Sequence, residues 1–208
     1  RRARRRKVIR RWKKRGLKVR TLEVGALFAV GGRVVDNRST FVVASPDPNP
    51  SIATMTARRL AKKLKVRTTI HRELLRRPRG TIVARPKGSR LALTNADAVW
   101  FAPTGTARLT VKQVEYGRGY KWHGRRDRAY FGRIYVTVDA GGKLAVVNEV
   151  PADKLLMGLV PAEIFTSAPV GALRAQSVAA RGQLLAKIGM RHTQDPYLIC
   201  SAQHCQVY

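Results

Sequence analysis

The sequence predicts an α+β fold: a small mixed α/β unit first, then a β-hairpin followed by helices. Three observations predict it. Between Thr21 and Val147 several short apolar runs alternate at period two and are separated by glycine or proline turns. Two segments, about 52–64 and 170–187, place their apolar residues at helical spacing. The 208 residues are 44% hydrophobic, so the chain is not of disordered composition and has length for one ordinary domain or two small ones.

Residues 1–20 carry thirteen Lys and Arg and no acid. Like charges repel and bury nothing, so we read them as a basic tail or short helix. Residues 21–124 read as a small α/β accessory or binding module. Its first strand signal is Val24, Ala26, Phe28 and Val30, followed by the Gly31-Gly32 turn, then Arg33–Val35 and Thr40–Ala44. Ser45-Pro-Asp-Pro-Asn-Pro50 is a loop, and Ser51 is placed to cap a helix from Ile52 to Leu64. Met55, Leu60 and Leu64 alternate there with Arg58, Arg59, Lys62 and Lys63. Short strands are expected at Val66–Ile70, Gly80–Ala84, Leu91–Leu93 and Val99–Phe101, with turns at Pro78–Gly80 and Pro86–Gly88. His71, beside Arg72 and Glu73, reads as a surface or packing histidine.

Residues 125–208 form the second expected unit. Just before and into it, Lys112, Tyr116, Arg118, Tyr120, Lys121, Trp122, His123, Arg125 and Arg126 interleave cations with rings. Such a stretch either stacks on bases or sugar faces, or is a twisted hairpin whose rings pack on its own sheet. Ile134, Val136 and Val138 then share a strand face, the chain turns at Gly141-Gly142, and Leu144–Val147 returns. The helix from Val170 to Lys187 aligns Leu173, Gln176, Ala180 and Leu184 in one stripe.

The formal charge is +30, of which +13 lies in residues 1–20 and +17 in the other 188. The body is therefore basic in its own right, which favours nucleic acid, anionic lipid or an acidic cell-wall polymer. No nucleic-acid-binding motif accompanies the charge. No stretch approaches the roughly 20 consecutive apolar residues of a membrane span. The chain does not begin with Met and has no secretory apolar core, so any targeting or anchoring segment is expected to lie outside it.

Glu163 stands among Leu159, Val160, Pro161, Ala162, Ile164 and Phe165. Apolar walls hold a proton on a carboxyl, as a general acid needs. The alternative is a residue at a helix N-terminus, complementing the dipole. Near the end, His192, Cys200, His204 and Cys205 supply two thiols and two imidazoles with C-x4-C spacing. They fit a tetrahedral Zn²⁺ set, and a Cys200–Cys205 disulfide or free thiols are the alternatives.

Ordered motifs run from Tyr130 onward: Tyr130-Phe-Gly-Arg133, Val146-Val-Asn-Glu-Val-Pro151, Leu156-Met-Gly-Leu-Val-Pro-Ala-Glu163, Pro169 through Arg181, and His204-Cys-Gln-Val-Tyr208. In that order and spacing they resemble the stage II sporulation protein D and amidase-enhancer family. The resemblance implies a peptidoglycan lytic transglycosylase that cleaves between N-acetylmuramic acid and N-acetylglucosamine in denuded glycan strands and leaves 1,6-anhydro ends. It implies Glu163 as acid/base and Gln176, Ser177 and Arg181 as substrate contacts, with Asp153 opening the helix as a cap. Zinc near the site, the cell envelope or extracellular space, and glycan strands as partner follow from the same likeness. A non-catalytic enhancer of a cell-wall amidase is the alternative it also implies, and a nucleic-acid-binding protein is the alternative from charge. The family's usual Ala-Arg-Thr continuation becomes Arg181-Gly182-Gln183 here, and its members continue past the final motif, so the domain is expected to be incomplete at Tyr208.

Overall fold

The computed structural model describes residues 2–44, 46–202 and 204–205. Arg1, Ser45 of the proline loop, Gln203, and Gln206, Val207 and Tyr208 of the terminal motif lie outside the described residues. The chain divides into two compact units, Arg1–Leu74 and Leu75–Tyr208. Helices and short antiparallel strands in small sheets make the fold α+β, as expected.

The first unit opens with helix α1 (Arg2–Lys13), so the basic opening segment is helical. Half-buried Val8, Ile9 and Trp12 lie on one side of it, while Arg6, Lys7, Arg10 and Arg11 are exposed. It packs on strand β1 (Val19–Val24), which pairs antiparallel with β4 (Ser39–Ala44). Between them, β2 (Leu27–Val30) and β3 (Arg33–Asp36) form a hairpin around Gly31-Gly32. The run expected as one strand from Val24 to Val30 is thus split at Gly25, where the Asn37 side chain accepts from the Ala26 amide at 2.7 Å. Helix α2 (Pro50–Leu64) starts one residue before Ser51. Its cap is Asn49, whose side chain accepts from the Ser51 and Ile52 amides, and Pro50 takes the first-turn place where no N–H is needed. Leu60 and Leu64 are buried, but Met55 is 71% exposed, because the core contacts only the C-terminal part of the stripe. The strand expected at Val66–Ile70 does not form. The Thr68 hydroxyl donates to the Ala57 carbonyl instead, and the segment lies back along α2 with no ladder partner.

Four exposed cations on one short helix make a testable contribution to polyanion affinity. Replacing Arg6, Lys7, Arg10 and Arg11 with Gln should weaken binding to duplex DNA and flatten its salt dependence by ~0.9 in log–log slope for each phosphate no longer neutralised. Fluorescence anisotropy across a salt series checks this; an unchanged slope would place the affinity elsewhere.

The second unit begins with β5 (Ile82–Ala84) paired to β6 (Leu93–Asn95). Strand β7 (Ala98–Phe101) edges a three-stranded antiparallel sheet, ordered β11-β10-β7, with β10 (Arg133–Val138) central and β11 (Leu144–Glu149) outside. Val99 and Ile134 are buried in it, and buried Thr137 is satisfied by donating to the Asp97 carbonyl at 2.9 Å. A long hairpin, β8 (Leu109–Tyr116) and β9 (Gly124–Tyr130), lies between β7 and β10 in sequence, so the boundary expected between residues 124 and 125 falls inside a β-ladder, where Gly124 is paired with Tyr116. Gly132 turns the chain from β9 into β10 at φ 79°, and a Cβ there would collide with the Glu149 carbonyl oxygen. The glycine of Tyr130-Phe-Gly-Arg133 is therefore a packing requirement.

Helices α3 (Ala152–Glu163) and α4 (Val170–Lys187) follow and pack on each other. Leu159, Ala180 and Leu184 form the buried cluster, joined by Leu155, Leu156 and Ile199. Leu159 is wholly buried, so Leu159→Ala should cost about 2–5 kcal/mol through lost transfer energy and the cavity left behind. Urea unfolding of the intact chain measures it; a loss under about 1 kcal/mol would mean that the helix pair is not the stabilising core.

Candidate metal centre and catalytic carboxylate

Helix α3 carries Pro161 inside its last turn. Pro161 lacks the N–H that Met157's carbonyl would receive, and the helix stops two residues later with the Ile164 amide on the Val160 carbonyl at 3.0 Å. Leu159 and Val160 turn inward at this end. Glu163, the last helical residue, is exposed, and Phe165 beside it is 74% exposed. Among the described residues no apolar wall closes over the carboxyl: Leu159 is buried in the α3–α4 core, while Pro161, Ala162 and Phe165 are exposed. The helix-N-terminus reading fails as well, since Glu163 sits at the negative C-terminal end of the dipole. Asp153 lies in the first turn of α3 with no side-chain capping bond, so it complements the dipole rather than capping.

On α4, Gln176 is half-buried between Leu173 and Ala180. The Ser177 hydroxyl donates back to the Leu173 carbonyl at 2.9 Å, and Arg181 is exposed. Ser177 and Arg181 are four residues apart and share a face, whereas Gln176 points about 100° away from Ser177. The three expected substrate contacts thus divide between two faces.

After α4 the chain folds back over the helix end. Lys187 donates to the Cys205 carbonyl, and Ile199 packs into the helix core. This return brings His192, Cys200, His204 and Cys205 together, with one ligating atom from each within 4.8 Å of all the others. Cys205 is buried, and the Cys200 sulfur lies 3.3 Å from His204 Nε2. Both cysteines are free, so the disulfide alternative is not what the structure contains. Asp195 orients the first histidine. His192 Nδ1 lies 2.8 Å from one Asp195 oxygen, while the other accepts from the Ala140 amide at 3.1 Å. His192 Nε2 is buried and has no hydrogen-bond partner among the described residues. A buried imidazole nitrogen without a partner costs free energy unless something binds it, and a metal ion would. The donor set therefore fits a metal.

Electrostatics favour a neutral ring at His204 and set a condition on the Cys200 thiol. Burial, then the neighbouring His192, Arg191 and Lys187, push the His204 pKa down, so the ring offers a lone pair at neutral pH. Burial, reinforced by Cys205, pushes the Cys200 thiol up, so binding a metal there must displace a proton.

Residues 140–208 match the stage II sporulation protein family. That segment is a third of the chain, and it bears out the resemblance read from the motifs. The stage II sporulation segment begins at Ala140, whose amide is held by Asp195, and takes in β11, both helices and all eight anticipated site residues. No curated protein and no solved structure matches the chain. Asp195 is the residue that sequence reading missed. Its only signal was the spacing His192-Thr-Gln-Asp195, three residues on from a ligand.

Proposed function

We propose that this protein acts on bacterial peptidoglycan as a lytic transglycosylase of the cell envelope, with Glu163 as its acid/base, and that His192, Cys200, His204 and Cys205 hold zinc. The stage II sporulation match over 140–208, which contains Glu163 at an exposed helix end, carries the reading. Glu163 is accessible to a long polymer there. Asp153, the other acid of α3, is ten residues away, about 15 Å along the helix. That is beyond the carboxylate separations of two-acid glycosidases.

One carboxyl suffices if the nucleophile comes from the substrate. The Glu163 carboxyl gives its proton to the oxygen linking muramoyl C1 to N-acetylglucosamine, and that bond breaks. The carboxylate then takes the proton of the muramoyl 6-hydroxyl as its oxygen bonds to C1. The 1,6-anhydro ring closes, no water is consumed, and the carboxyl is restored. A bound strand covers the carboxyl and excludes water from it. Arg181 and Ser177, sharing an α4 face, are the candidates to hold the sugar's acyl or lactyl oxygens. Four protein ligands make a closed, structural zinc site, which would pin the 192–205 return to the α3–α4 core.

A second reading, a non-catalytic enhancer of a cell-wall amidase, draws support from the same exposure: an open Glu163 beside exposed Phe165 is also a surface that a partner protein covers. Incubation with amidase-treated peptidoglycan, followed by mass spectrometry, separates the two. 1,6-Anhydromuramoyl products are expected; their absence together with faster amidase turnover would favour the enhancer.

A further inference from the structure

We infer that the tip of the β8–β9 hairpin is a glycan-binding platform, where the stacked rings of Tyr120 and Trp122 meet a sugar face and nearby cations meet its carboxylates. The tip is built to hold these rings. Gly117 and Gly119 take left-handed conformations at φ 65° and 86°, and two successive turns close from the Tyr120 amide to Gly117 and from the His123 amide to Tyr120. The ring centroids are 4.5 Å apart with planes at 16°. A Cβ on Gly117 would lie 2.6 Å from Trp122 Cδ1, so only glycine lets the indole settle against the backbone. Glu115 fastens the tip from beneath, bound to His123 at 2.7 Å and to Arg118 at 3.5 Å.

This order is spent on surface. Tyr120 remains 43% exposed and Trp122 61%, although leaving large rings in water forgoes their burial energy. Rings pre-set in this way lose little entropy on meeting a ligand. The hairpin, 109–130, has six Lys and Arg against two acids, a formal +4, and Lys121, Arg125 and Arg126 are exposed. The ligand should therefore be flat, partly apolar and anionic. Resting on the proposed peptidoglycan function, a glycan strand stripped of its peptides meets that description, because each muramoyl unit then bears a free lactyl carboxylate. A nucleobase fits less well. The two rings already touch, so no base can enter between them, and stacking is left to their outer faces.

The test measures binding of the full chain carrying Glu163→Gln, so that turnover does not interfere. Probes are amidase-stripped glycan strands and an oligothymidylate of similar length. Tyr120→Ala with Trp122→Ala should weaken glycan binding about ten-fold or more, and the Phe pair at the same positions should restore most of it. Lys121→Gln with Arg125→Gln, which leaves the rings in place, should weaken it and flatten its salt dependence, and serves if the Ala pair misfolds. Unchanged glycan affinity in the Ala pair, or in the Gln pair when the Ala pair misfolds, overturns the platform even if anhydro products form with the parent. Tighter ring-dependent binding to oligothymidylate than to glycan also overturns it. Ring-dependent glycan binding without any anhydro product would sustain the platform and remove the catalytic reading.

Discussion

Glu163→Gln should abolish 1,6-anhydromuramoyl products from denuded glycan while leaving the fold intact. General acid–base catalysis typically contributes 10²–10⁴-fold, and here the same carboxyl would act in both halves of the reaction. The expected loss is therefore near the upper end, about 10⁴-fold or ~5.5 kcal/mol of barrier. Gln keeps the shape and a hydrogen-bonding oxygen but neither gives nor takes the proton. Because Glu163 is exposed, the change in unfolding free energy should stay within about 0.5 kcal/mol. Product mass spectrometry beside a urea titration reads both quantities. Full product formation by the variant would remove Glu163 from the chemistry, and a large stability loss would recast it as structural.

The second large effect belongs to the metal. Purified under zinc-replete, reducing conditions, the parent should hold about one equivalent, and Cys205→Ser almost none. Cys205 is buried at the meeting point of the helix end and the return, so its loss removes a ligand that no water can replace. Chelation of the parent should lower its thermal midpoint, since binding energy at a closed site is folding energy. Asp195→Asn should weaken zinc affinity about 10–100-fold without removing a ligand, because the carboxylate orients His192. Equal metal content in parent and Cys205→Ser would reject the site; equal affinity in Asp195→Asn would deny Asp195 its positioning role.

Local signals carried much of the fold. Helix α4 was expected from Val170 to Lys187 and is found there, because Pro169 marks its start and the stripe through Leu184 is unbroken. The β10–β11 hairpin followed from alternation and the Gly141-Gly142 turn. Errors arose where a local pattern lacked a distant partner. Val66–Ile70 has strand composition, yet no neighbouring strand accepts it. Elsewhere the chain started its helix earlier than expected: Pro50 takes the first helical position, where no N–H is needed, so the cap is Asn49 and not Ser51.

The residues by themselves determined that this protein is α+β, strongly basic and equipped with a two-thiol, two-imidazole set, and that its last third resembles the stage II sporulation family. Those properties rest on residue type and spacing along the chain. Only the tertiary structure decided that Glu163 is open rather than walled, that Asp195 grips His192, that both thiols are free, and that Tyr120 and Trp122 stack on the surface. Burial and side-chain pairing depend on which distant segments the fold brings together. At Glu163 the neighbours in sequence turned into the core or out to solvent, and the Asp195 that grips His192 is itself held by the Ala140 amide, more than fifty residues earlier.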